Sequence, residues 1–201
     1  MFNDFEDCDT LFQKFLSPWY AEEERPTTTR PDMYVVAGYN GQPLNLNRFQ
    51  YLDDAMLIQS VENIRMMTSA TVDDYRKMVQ ADGLSLTVLD AVDKKFDRKT
   101  VSDLILVSDP ENFSNPYMVN VCEFGIMLGY LFTQRPDFGW LYGDPYFHSV
   151  VVHKPTGLAI AVFDWAVRKF SNSGVDEGFV EKYHAAIKAV ENSQGQKEHL
   201  R

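Results

Sequence analysis

The sequence predicts an α+β domain whose antiparallel sheet is built from two hairpins and packed with several helices. Three observations carry that expectation. Tyr146 to Phe170 holds two apolar runs joined by Lys154-Pro155-Thr156-Gly157, a turn in which proline presets φ and glycine accepts a left-handed backbone. Met33 to Leu46 holds two shorter runs around Asn40-Gly41, the pair best suited to a tight hairpin. Between these, from 52 to 134, apolar residues recur mostly at helical spacing. The sheet is therefore expected from hairpins at about 33–46 and 146–164, within one domain spanning 1–201.

Counting across the second turn, with Gly157 as a bulge residue, places Lys154 opposite Leu158 and Val152 opposite Ile160. It also places Val150 opposite Val162 and His148 opposite Asp164. Both faces of this hairpin are largely apolar, so each is expected to be covered.

Taken in order, residues 4–16 predict an acidic N-terminal helix that Ser17-Pro18 ends, because the residue before proline leaves the α region. A charged, threonine- and proline-containing linker follows at 21–32. Pro43 marks its own strand as an edge, since it cannot donate to a ladder. Helices are then expected over about 52–67, from Thr71 to a stop at Gly83, from a Ser85 cap through Phe96, and after a Thr100 cap. The last of these contains LILV, which also fits a strand. The most apolar helix spans 116–134, with Asn115 as its cap, Pro116 at its first position and Gly125 and Gly129 permitting close packing on the sheet. A final helix runs from Phe179 to Val190, and the polar tail 192–201 is expected to fray.

The net charge is −10, and the first 24 residues contribute −6 of it through seven acids against Lys14. Such a surface disfavours nucleic acid, whose phosphates need basic contacts. The acidic start of the chain argues against an export signal, no apolar run reaches membrane-spanning length, and two cysteines do not make a disulfide framework. A cytoplasmic protein is expected.

Several side chains are candidates for chemistry. The counted register sets the His148 imidazole against the Asp164 carboxylate, the arrangement of a general base, although Asp164 is also placed to cap a helix. His148 and His153 are five apart and face opposite ways on a strand, so no metal site is expected. Cys122 lies in the apolar helix as a small hydrophobe, and its neighbour Glu123 is an ionisable group in the same environment. Asp53-Asp54 and Asp73-Asp74 each read as first-turn acids that complement a helix dipole. No phosphate-loop spacing and no cofactor motif occurs.

Residues 137–147, DFGWLYGDPYF, concentrate Phe138, Trp140, Tyr142, Tyr146 and Phe147 in an expected loop. Such a loop is either a satellite core or a recognition surface, since aromatics dominate interface hot spots. Without a motif that assembles nucleophile, base and oxyanion donors, the chain is not expected to be an enzyme. The leading expectation is an acidic protein-binding module, of inhibitor or immunity type, that covers a basic protein partner. Phe138, Trp140, Tyr142 and Tyr146 would be its aromatic anchors, and Glu22, Glu23 and Glu24 its acidic rim. The alternatives are a small hydrolase or transferase using His148 and Asp164, and a structural subunit of a larger or homo-oligomeric assembly.

Overall fold

The computed structural model describes residues 5–36 and 55–198. Among these the fold is α+β, with seven α-helices and a four-stranded antiparallel sheet. The strands are β1 (Met33–Val35), β2 (Phe138–Leu141), β3 (Val150–His153) and β4 (Leu158–Ile160), in the spatial order β1-β4-β3-β2. The helices are α1 (Cys8–Leu11), α2 (Ala55–Val79), α3 (Leu86–Lys95), α4 (Arg98–Val107), α5 (Pro116–Thr133), α6 (Val162–Lys169) and α7 (Phe179–Glu198).

The 146–164 hairpin forms, with three corrections. Gly157 adopts φ 72° as expected, but its N–H reaches back to the His153 carbonyl (2.8 Å) and closes a four-residue loop. The register is therefore shifted by one: His153 faces Leu158, Val152 faces Ala159 and Val151 faces Ile160. Because α6 begins at Val162, the expected pairs Val150–Val162 and His148–Asp164 do not exist in the sheet. At the other end, Tyr146–His148 is a 3-10 turn ahead of β3.

The expected aromatic loop is a further correction to the sheet. Phe138–Leu141 is an edge strand, paired so that Phe138 faces His153 and Trp140 faces Val151. Of the 33–46 hairpin, Met33–Val35 is present and pairs with β4, while the Asn40-Gly41 turn and its second strand lie outside the described residues.

β3 is buried along its whole length. Its α5-facing side joins Phe138, Val151 and Ile160 to the main core, and its far side holds Val150 and Val152 with Ala159 and Ala161. α5 is the buried centre: Phe124, Ile126, Met127, Leu128 and Phe132 are fully enclosed. Asn115 caps it by accepting the Met118 N–H at 2.9 Å. Its two glycines remove the side chains that would block its neighbours. A Cβ at Gly125 would strike Phe163 of α6, and one at Gly129 would strike Trp140 of β2.

Elsewhere the helical block differs at its joints. The two helices expected over 52–67 and 71–79 are one continuous α2, and Thr71 is fully buried within it. Asp73 and Asp74 therefore sit mid-helix, facing Arg76 and Lys77 at i+3 (3.9 and 3.7 Å). α2 ends before Gly83: Gln80 takes a left-handed conformation (φ 54°) and the Ala81 N–H bonds back to the Arg76 carbonyl. Ser85 caps α3 as expected, whereas α4 is capped by Asp97, to which the Thr100 N–H donates. LILV is helical. α7 continues past Val190 through Glu198.

One buried ion pair ties three helices. Lys169 Nζ of α6 lies 2.7 Å from Asp93 Oδ1 of α3 and donates to the Val175 carbonyl, while Asp93 Oδ2 accepts the first N–H of α7, from Phe179. No helix among the described residues is long and apolar enough to cross a membrane.

Candidate functional site

The 21–32 segment is held to the body of the protein at several points. Ser17 Oγ donates to the Pro26 carbonyl, Thr29 bonds Asp9 through both its N–H and its hydroxyl, and the Asp32 carboxylate forms ion pairs with Arg168 (2.9 Å) and Lys182 (3.0 Å). Glu22, Glu23 and Glu24 form one exposed 3-10 turn on it. Six residues later, Arg30 turns inward.

Arg30 decides what His148 and Asp164 are. Its Nε and Nη2 both donate to Asp164 Oδ2 (3.0 and 2.6 Å), and its backbone N–H donates to Oδ1 (2.7 Å). Its Nη1 donates to the His148 carbonyl (2.7 Å). No hydrogen bond or ion pair joins His148 to Asp164 among the described residues; the guanidinium bridges them instead. Asp164 lies in the first turn of α6 but does not cap it.

The His148 ring packs on Tyr20 (5.2 Å between centroids). Burial, reinforced by the Arg30 charge, pushes its pKa down to about 4, so the imidazole is neutral at physiological pH. The adjacent hydroxyl, Ser149 Oγ, is enclosed and accepts the Gly143 N–H at 3.0 Å. The geometry thus replaces the expected carboxylate–imidazole pair by a charge-neutralised arginine with a neutral histidine beside it.

His148 and Arg30 line a cleft of about 280 Å³ on the far side of the sheet from α5. Tyr34 of β1 and Tyr142, just after β2, give it aromatic walls, and Leu141 and Val150 complete the apolar part. Glu24 and Asp144 stand at its margin, both exposed, and neither carboxylate has an ion-pair partner among the described residues. Because Asp164 already balances Arg30, these two carboxylates set the sign of the site among the described residues. Tyrosine rings beside these carboxylates suit a cation, which gains from both the ring quadrupole and the negative charge.

From the residues singled out in the sequence, the cleft brings together Glu24, Tyr142 and His148. It does not take in the rest of the aromatic set. Phe138 is buried against Phe132 and His153, and Tyr146 is buried against Phe147 and Phe163. Trp140 is half-buried, its indole on Gly129 and beside Phe163. Arg30, Tyr34 and Asp144 carry no distinguishing signal in the sequence, where Arg25 precedes a proline in the same connector just as Arg30 does.

The remaining candidates have structural surroundings. Cys122 is enclosed and burial pushes its thiol up to about 12. His153 is fully buried, with Nδ1 2.8 Å from Thr156 Oγ1 and Nε2 3.3 Å from Asp137. Among the described residues no group of three or more His, Cys, Asp and Glu is placed to hold a metal. Comparison with protein-family profiles, curated proteins and solved structures finds no match to this chain.

Proposed function

We propose that the protein is an acidic binding module, of inhibitor or immunity type, whose cleft receives a lysine or arginine side chain from a basic protein partner. The observation that carries this reading is the meeting of Glu24 and Asp144, neither with an ion-pair partner among the described residues, with the Tyr34 and Tyr142 rings around a cleft whose own cation is already neutralised by Asp164. The exposed turn Glu22–Glu24 extends the negative rim outward. In this arrangement the rings supply contact area with little loss of side-chain entropy, and the rim accelerates encounter.

The test is equilibrium titration with an oligolysine peptide at low salt. Oligolysine binds and oligoglutamate does not, and the paired substitution Glu24→Gln/Asp144→Asn weakens oligolysine binding at least about tenfold. Equal binding of oligolysine by the paired variant, or equal affinity for the two peptides, overturns the reading.

A further inference from the structure

The Tyr146–His148 turn has a second side. A 3-10 turn advances about three residues per revolution, so residues two apart point in different directions. His148 enters the cleft, whereas Tyr146 forms part of a separate apolar groove of about 310 Å³. The groove's other walls are Asn63, Met66, Met67 and Ala70 of α2, and Phe113 of the α4–α5 connection.

The α2 residues recur at i, i+3, i+4 and i+7, which makes one continuous stripe along the helix. It borders the stripe that α2 buries and shares Met67 with it, since Met67 also packs on the core. Ser60, Ile64, Thr71 and Tyr75 face the core, while Met66 is 57% exposed and Phe113 is 36% exposed. Phe113 is nonetheless held in place from behind, edge-on to Trp19 (5.1 Å) and against Phe147 (6.1 Å). A rigid aromatic wall opposite two methionines forms a groove that accepts the apolar face of a helix, because thioether side chains repack around what enters.

Charge selects the occupant. Glu62 borders the stripe, and Asp109 and Glu111 lie on the loop that carries Phe113; all three are exposed and without ion-pair partners among the described residues, against Arg65 alone nearby on α2. A second copy of this chain would bring another −10 to the contact. The groove and the cleft are separate but draw on one turn of backbone, Tyr146 lining the groove and His148 the cleft. We propose that the groove docks an amphipathic helix with a basic polar face, belonging to the same partner whose cationic side chain enters the cleft. The proposal rests on the cleft reading for the partner's charge.

The probe is a synthetic helical peptide of leucine and lysine, roughly eighteen residues, with leucines at helical spacing. It is titrated against the full chain carrying isotope-labelled methionine methyls. A lysine-only peptide and a leucine–glutamate peptide serve as comparisons. The leucine–lysine peptide shifts the Met66 and Met67 methyl resonances and binds at least about tenfold more tightly than the lysine-only peptide. Met66→Gln, which makes the groove polar without adding charge, removes that advantage and leaves lysine-only binding unchanged.

Three results overturn the proposal: binding that leaves the Met66 and Met67 methyls unmoved, equal binding of the leucine–glutamate peptide, or a dimer of this chain that Met66→Gln dissolves. A lysine-only peptide that fails to bind, while the leucine–lysine peptide still moves both methyls, removes the cleft reading and leaves the groove as a helix site.

Discussion

Arg30 and Asp164 are 134 residues apart and are joined through both carboxylate oxygens: the guanidinium takes Oδ2 and the Arg30 backbone N–H takes Oδ1. Asp164 is only 3% exposed, so this is a buried charge that arginine's fork and a backbone donor satisfy together. The contact pins the 21–32 segment over α6 and aims Nη1 at the His148 carbonyl. It thereby sets both the floor of the cleft and its charge.

Asp164→Ala leaves a largely buried guanidinium without its counter-ion. Loss of one partner from such a pair costs about 3–5 kcal/mol. Equilibrium denaturation checks this, and Asp164→Asn, which keeps an acceptor, is expected to lose less. A Asp164→Ala variant as stable as wild type contradicts the role assigned to the pair.

Gly129 sits where any Cβ meets the Trp140 indole, so Gly129→Ala overpacks the contact between α5 and β2 and destabilises by roughly 1–3 kcal/mol. Shortening the opposing side chain relieves the clash. Gly129→Ala therefore costs less in a Trp140→Leu background, measured as a double-mutant cycle of unfolding free energies.

Two half-buried groups oppose each other in pH. His148, with a pKa lowered from 6.5 to about 4, stabilises the fold above pH 6.5, and that contribution is lost as pH falls through 4. Glu123 stands between α5 and Asp74 of α2, and burial raises its pKa from 4.5 to about 7. Its contribution is present below pH 4.5 and is lost as pH rises through 7. Each effect is of order 1–2 kcal/mol once solvent screening is allowed for. Glu123→Gln thus stabilises near pH 8 and is close to neutral near pH 4, and His148→Asn flattens the acid side of the curve. Unfolding free energy against pH for the three proteins is the measurement.

Much of the helical layer is legible in the sequence because its signals are local. Ser85 and Asn115 cap where their side chains can accept the N–H three residues on, and Gly157 takes the positive φ its turn requires. The failures occur where long-range pairing outweighs local pattern. Thr71 resembles a helix start, yet it is enclosed mid-helix because α2 packs along α5. Phe138–Leu141 contains a glycine and is flanked by turn-forming residues; only pairing with β3 makes it a strand. A one-residue difference in loop length moves the whole hairpin register, and with it the expected meeting of His148 and Asp164. The cleft itself is legible only in fragments, since Glu24, Arg30, Tyr34 and Tyr142 come from segments that no sequence spacing connects.

The central claim is that a cation enters an acidic, tyrosine-walled cleft, and it is tested most directly by oligolysine association and dissociation rates at two salt concentrations. Screening acts over about 8–10 Å, so added salt slows association while changing dissociation less. Tyr142→Ala removes contact area inside the cleft and not charge at its rim, so it speeds dissociation and leaves the salt dependence of association intact. An association rate indifferent to salt, together with a Tyr142→Ala variant that releases the peptide no faster than wild type, would contradict the account.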